Sequence, residues 1–308
     1  MEDYPRTLLE LESRFRDEES CQVYLFSLRW PNGFVCPRCQ RHRASPIGRG
    51  LWLCLDCEAQ VSLIAGTIFH RTHLPLRLWF RLIWYVTSQK NGANALGLQR
   101  VLGLGSYQTA WSCLHKLRRA MVRPGRERLH GRVEVDEVFI GGKESGFEGR
   151  SAPSKALVAI AAEKDGEGIG RIRMCRIRDA KKPTLHRFIE TMIAPGSLVC
   201  TDGWTSYLGL EEKGYGHKAI SLEGKPPSLA TTAMPRVHRI SSLLKRWLLG
   251  THHGAVRASH LDYYLDEFTF RFNRRTSLFR GKLFYRLLQQ AILIGPTPFR
   301  RTNHNCLG

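Results

Sequence analysis

The sequence predicts a mixed α/β protein with two small modules ahead of its main domain. Three observations predict it. Two C-x2-C pairs fall within the first 60 residues. Apolar residues then recur at helical spacing through a strongly basic stretch. From Val133 onward, β-prone runs alternate with amphipathic helical runs, the pattern of an α/β domain with a mixed sheet. A chain of 308 residues has room for about two domains, or one large domain with appendages.

Composition narrows the function. Apolar residues make up 43% of the chain, which excludes wholesale disorder. No apolar run approaches the ~20 residues of a membrane span, and the best one, Leu74 to Val86, is broken by Arg77 and Arg81. A membrane partner is therefore not expected. Met1-Glu2-Asp3-Tyr4 is acidic with no apolar run behind it, unlike a secretory signal, so a cytoplasmic location is expected. In a reducing cytosol, nine cysteines do not predict a disulfide framework.

The 47 Lys+Arg against 27 Asp+Glu give a formal charge of +20. That excess points to a polyanionic partner, most simply nucleic acid; a merely solvated basic surface is the alternative. The excess is uneven. Residues 61–132 hold 12 basic and 1 acidic residue, and residues 235–308 hold 13 and 3. Residues 133–234 are balanced at 14 and 14.

Taken in order, Leu8 to Phe26 reads as a helix with Leu8, Leu9, Leu11 and Phe15 on its apolar face. Cys36-Pro37-Arg38-Cys39 and Cys54-Leu55-Asp56-Cys57 follow, with 14 residues between the pairs. Each pair forms a tight knuckle, and two knuckles complete a tetrahedral site of four thiolates. That is a zinc ribbon. With no open coordination position, its Zn2+ is structural. Cys21, Cys113, Cys175, Cys200 and Cys306 are scattered and read as packing residues.

Pro75 opens an apolar helix over residues 75–90. Two further helices, residues 93–102 and 106–121, flank Gly103-Leu104-Gly105 and make a helix-turn-helix candidate. Ser106 is its N-cap, and Ala110, Trp111, Leu114, Leu117 and Arg118 form one face. Tyr107, Gln108, Thr109 and Ser112 can meet base edges or phosphates, while Arg118, Arg119, Arg123, Arg126 and Arg128 can meet the backbone. An ordinary helical hairpin is the alternative; the local charge favours DNA.

Strands are predicted at Val133–Ile140, Ala156–Ala162, Gly170–Arg178 (with one wet face) and Ser197–Thr201. A helix is predicted over Pro183–Ile193. Asp136 lies inside the first strand and Asp202 at the end of the last. A carboxylate in an apolar strand is costly unless paired, hydrogen-bonded or bound to a cation. Side by side, two such strands hold a divalent metal and suit two-metal phosphoryl transfer; two unrelated surface aspartates are the alternative. In the helix from Pro235, Ile240, Leu243, Leu244, Trp247 and Leu248 make one apolar face. His238 and Lys245 lie together on the opposite face, where an imidazole can complete a metal shell and Lys245 can hold a phosphate.

In this order, several motifs carry a family resemblance. They are the two cysteine pairs, Val135-Asp136-Glu137-Val138-Phe139-Ile140-Gly141-Gly142, Thr201-Asp202-Gly203-Trp204 and Leu244-Lys245-Arg246-Trp247. Gly250-Thr251-His252-His253-Gly254, Asp266-Glu267-Phe268 and Arg271-Phe272-Asn273-Arg274-Arg275 complete the set. Across roughly residues 15–290 the chain resembles bacterial insertion-sequence DDE-type transposases with an N-terminal zinc ribbon, the group related to Merlin transposons. The resemblance implies an RNase H-like catalytic core with an acidic triad. Asp136 matches the first acid and Asp202 the second. His238 takes the third position, seven residues before Lys245; some relatives carry His or Asn there. Glu137 is a weaker ligand candidate, because its side chain leaves the opposite strand face from Asp136.

Five regions follow: an N-terminal helical region (1–32), the zinc ribbon (33–62), a helical DNA-binding segment (63–130), the RNase H-like core (131–290) and a tail (291–308). The expected activity is cleavage at transposon ends and strand transfer into target DNA. Asp136, Asp202 and His238 would hold Mg2+ or Mn2+. Gln108, Thr109, Ser112, Arg118, Arg119, Arg239 and Arg246, with Lys245, would hold double-stranded DNA of the terminal inverted repeats and target. Two ends must be held together, so a homo-oligomer is expected in the synaptic complex, associated with the nucleoid. The alternatives are a zinc-ribbon DNA-binding regulator or inactive relic, and a structure-specific nuclease.

Overall fold

The computed structural model describes residues 2–123, 125–141, 155–220, 233–254 and 256–296. These fall into two compact units, residues 2–123 with 277–296, and residues 125–276.

In the first unit, α1 (Leu8–Arg14) and α2 (Glu18–Arg29) replace the single helix expected over 8–26. Asp17 breaks it. Its carboxylate accepts from the Ser20 backbone N–H at 2.8 Å, so Asp17 caps a new helix and does not continue the old one. Strands β1 (Ala44–Gly48), β2 (Leu51–Cys54) and β3 (Gln60–Ser62) form an antiparallel sheet in that order. Trp52 of β2 lies 4.2 Å, centroid to centroid, from Phe26 of α2.

Helix α3 (Leu76–Ser88) buries Trp79, Phe80, Leu82, Ile83 and Val86. Pro75 serves as its N-cap, one position earlier than expected. Helix α4 (Ala95–Leu102) is capped by Asn94 and stops at Gly103, whose φ of 61° suits glycine. Helix α5 (Tyr107–Ala120) starts as expected, with Ser106 Oγ accepting from the Thr109 N–H at 3.1 Å. The chain later returns to this unit. Helix α9 (Arg280–Leu293, numbered after two helices of the second unit) buries Leu283, Phe284, Leu287 and Leu288, and Phe284 meets Phe80 edge-on at 5.6 Å. The second unit therefore ends at Thr276 and not at residue 290, because the apolar face of α9 is covered by helices of the first unit.

The second unit is a five-stranded sheet between helices. Its strands are β4 (Arg132–Ile140), β5 (Ala156–Asp165), β6 (Gly168–Ile177), β7 (Leu198–Thr201) and β8 (Gly216–Ala219). The order is β6-β5-β4-β7-β8. The β4–β5 and β5–β6 pairs are antiparallel, while β4–β7 and β7–β8 are parallel. This is the RNase H-like arrangement the resemblance implies, and β8 is a strand the sequence did not disclose.

Helix α6 (Lys182–Met192) covers one face, packing Leu185, Phe188 and Ile189 on Val133, Val135, Ala159 and Val199. Helices α7 (Pro235–His252) and α8 (Leu261–Phe272) cover the other, packing Val237, Ile240, Leu244 and Leu265 on Val158, Ile160 and Ile172. Each such side chain contributes roughly 1.5–3 kcal/mol on burial. The wet face expected on β6 is absent: Ile172, Arg173, Met174 and Cys175 are all buried, because helices lie on both sides. Cys21, Cys113, Cys175 and Cys200 are buried, as expected of packing residues; Cys306 and Gly142 lie outside the described residues.

Candidate active site and metal centre

The metal centre is local in origin. The Gln40 N–H donates to Cys36 O and the Glu58 N–H to Cys54 O, both at 2.9 Å. Gln40 and Glu58, four residues past the first cysteine of each pair, both adopt positive φ, 61° and 57°. The two knuckles are thus built alike. Sγ of Cys36 lies 3.7 Å from that of Cys57, and Sγ of Cys39 lies 3.5 Å from that of Cys54. A tetrahedron with metal–sulfur bonds of about 2.3 Å has edges of ~3.8 Å. The backbone N–H of Cys39 helps pull the Cys36 thiol down to about 7, towards the thiolate that a metal needs. Among the described residues, these four cysteines are the group of three or more metal-ligating side chains whose ligand atoms all lie within 4.8 Å of one another. They form a metal-binding cluster of zinc-ribbon type.

The acidic site arises from strand pairing. In the parallel β4–β7 ladder, Glu134 pairs with Cys200. Two positions further along, the same register brings Asp136 beside Asp202, one residue past the end of β7. Neighbouring strands lie ~4.8 Å apart, so the two residues occupy adjacent positions at one end of the sheet, although the ligand atoms of Asp136, Asp202 and His238 do not all lie within 4.8 Å of one another. A turn holds Asp202 there: its Oδ1 accepts from the Trp204 N–H at 3.0 Å, and Gly203 between them has φ 86°. Asp136 Oδ1 accepts from the Glu137 N–H at 2.8 Å.

Helix α7 delivers His238 to the same place. Its Nδ1 is 4.0 Å from Asp136 Oδ2, and its Nε2 is buried with no hydrogen-bond partner. The ring thus turns back towards the sheet from the flank of the helix instead of facing away from it. Lys245, two turns on, is exposed. Two carboxylates and a buried orphan imidazole nitrogen are ligands that suit a divalent cation such as Mn2+ or Mg2+.

Glu137 leaves the other face of β4, where it accepts from the Tyr207 hydroxyl at 2.9 Å. Burial, together with the Asp136 and Asp202 charges, pushes its carboxyl up to about 7, against the pull of Tyr207. Tyr207 is fully buried, and sequence reading missed it. A cavity of about 520 Å3 is lined by Glu137, Asp202 and Trp204 together with Lys155, Arg176 and Arg178. Trp204 is 51% exposed, an aromatic face beside the acids.

The DNA-contact candidates divide. Gln108, Arg239 and Arg246 are exposed, and Thr109, Ser112 and Arg119 are half-buried. Arg118 is only 2% exposed, so its predicted backbone contact is corrected. It follows Ala110 and Leu114 at helical spacing and points into the core, near His115 Nε2 (3.4 Å) and Ala93 O (3.5 Å). Arg126 is also withdrawn, donating to Met192 Sδ at 3.5 Å.

Residues 16–60 match a transposase zinc-ribbon domain, and residues 128–273 match an ISXO2-like transposase domain. A Halobacterium salinarum protein described as an uncharacterized protein in transposable element ISH50 is 24% identical over 280 residues, which is 83% of this chain and 91% of that protein. The crystal structure of the Mos1 strand transfer complex aligns with 64% of this chain and 75% of that one at 12% identity; its TM-score of 0.22 is too low to carry any argument. In this order, then, the chain carries a match to a transposase zinc-ribbon domain and a match to an ISXO2-like transposase domain.

Proposed function

We propose that this transposase cuts the phosphodiester at transposon ends and joins the freed 3′ hydroxyl to target DNA, with Asp136, Asp202 and His238 as its metal-holding residues. The observation that carries the reading is the register of β4 and β7, which supports Asp136 and Asp202 as neighbours at one end of the sheet. His238, with a buried unpartnered nitrogen and its ring beside Asp136, is the third candidate ligand. Divalent cations bound there would supply positive charge for the attacking and leaving oxygens of an in-line displacement. Both steps are such displacements and need no nucleophilic side chain. Lys245 and Arg246, exposed on α7, would hold phosphates near the acids, and Arg239 extends that row. Trp204 offers an exposed ring on which a base can stack.

In the first unit, the ribbon would carry a structural Zn2+. The start of α5, with Gln108, Thr109 and Ser112, would meet the terminal inverted repeats, with Arg119 on the backbone. Holding two ends together would require more than one copy of the chain.

Asp136→Ala or Asp202→Ala should abolish metal-dependent nicking of end-sequence DNA, to background, while leaving DNA binding unchanged. Retained nicking would overturn the site. A nicked product that is never joined to target DNA would make the protein a nuclease, and binding without nicking by the wild-type chain would make it a regulator or relic.

A further inference from the structure

Glu134 is a charged residue in the middle of an apolar strand, and it is only 1% exposed. Its Oε2 accepts from the backbone N–H groups of Arg236 (2.7 Å) and Val237 (3.1 Å). Its Oε1 accepts from Arg236 Nη1 at 2.9 Å, and Arg236 Nε donates in turn to Gly168 O at 2.9 Å. The two N–H groups belong to the first turn of α7, where a helix leaves its donors without intrahelical partners. Met234, at the N-cap position, makes no side-chain cap, and Pro235 has no N–H to offer. So the cap of α7 comes from another element, the strand that carries Asp136.

Two consequences follow from that geometry. Glu134 and Asp136 are two residues apart on β4 and share one face. Arg236 and Val237 immediately precede His238. The strand that presents one metal-holding residue therefore also grips the backbone beside another. A buried ion pair is weak evidence for stability, because desolvating both charges offsets their attraction. A carboxylate at a helix N-terminus, with its charge aligned to the helix dipole, instead fixes where that helix begins.

We propose that Glu134 is a positioning residue that anchors the first turn of α7 and so sets His238 against Asp136 for metal binding. This rests on the reading of Asp136, Asp202 and His238 as one metal site.

The test uses the full chain with no DNA. Amide hydrogen exchange reports on the first turn of α7, and Mn2+ affinity is read by electron paramagnetic resonance titration. Glu134→Gln keeps the shape but loses the charge and one acceptor oxygen. Exchange at Arg236 and Val237 should quicken tenfold or more, with β5 and β6 unchanged. Mn2+ affinity should fall about tenfold, the low end of what the loss of a supporting residue around a metal site costs. Arg236→Lys leaves the two backbone hydrogen bonds in place and should bind Mn2+ within twofold of the wild type. If E134Q does not fold, the double variant E134Q/R236M, which leaves no buried unpaired charge, should fold and show the same two changes.

Unchanged Mn2+ affinity in a folded variant would overturn the proposal. So would faster exchange spread evenly over the sheet, which would mark a general structural role. Asp136→Ala is the control for the underlying reading: if it leaves Mn2+ binding intact, the metal site is wrong, whatever E134Q does.

Discussion

The cysteine cluster and the acidic site recruit their ligands over very different lengths of chain. The thiolates all come from Cys36 to Cys57, through two knuckles of one design. The acidic site draws on β4, the end of β7 and the first turn of α7, from Asp136 to His238. The first is made by local turns and needs little beyond them. The second exists only when a parallel ladder and a helix cap are both formed. A local site should fail alone when its metal is removed, whereas the assembled site should weaken with any element that sets its geometry.

The largest expected effect is on the cysteine cluster. Replacing Cys54 with Ser, or stripping the metal with a chelator, should unfold the ribbon, since structural zinc contributes on the order of 10–16 kcal/mol to small zinc modules. Circular dichroism of β1–β3 or protease sensitivity near residues 36–62 would show it. The fold of the second unit should survive; if it melts at the same time, the contrast between the sites is wrong.

Next is His238. His238→Ala should lower the nicking rate by about 10²-fold, with end binding unchanged, and His238→Glu should recover most of the loss because it supplies an oxygen ligand in place of the imidazole nitrogen. Metal-dependent nicking at varied Mn2+ reads both. A rate for H238A equal to the wild type would remove the imidazole from the site.

A smaller effect concerns the far end of β5. Burial raises the Glu163 carboxyl, but hydrogen bonds from the Arg171 side chain and from the His130 and Arg171 N–H groups outweigh it and hold the carboxyl below its ordinary value. A lowered value favours the charged form in the folded state. Its stabilisation is therefore present above the unfolded value of about 4.3 and is lost as pH falls through the folded one. Urea melts of Glu163→Gln should fall below the wild type at neutral pH and converge with it in acid. A gap that persists in acid would assign the loss to packing.

The smallest effect is on the basic surface. Arg246→Ala should reduce the slope of log binding affinity against log salt by ~1, as one phosphate contact predicts, whereas Arg118→Met should leave that slope alone. Equal changes from the exposed and the buried arginine would break the division drawn between them.

Much of this was legible in residue order. C-x2-C spacing specified the metal cluster, because a knuckle is a matter of a few consecutive dihedrals. The apolar face of α7 was readable from Ile240, Leu244 and Leu248, and the cap of α5 from Ser106. The same periodicity already placed Arg118 on a buried face, and the basic charge around it obscured that. Glu134 was open to discovery too: it is an acid in an apolar strand, on the same face as Asp136. What hid its role was the partner, 102 residues away.

The amino-acid sequence by itself determined the local features: the knuckles, helix faces, caps at Ser106 and Asn94, and the acids placed at strand positions. Each depends on neighbours within a turn or two, where propensity and periodicity act. Only the tertiary structure decided which distant groups meet. It ended the second unit at Thr276, covered both faces of β6, paired Glu137 with Tyr207 and capped α7 from β4. Those outcomes depend on strand register and on which element covers which, and no short stretch of sequence carries that information.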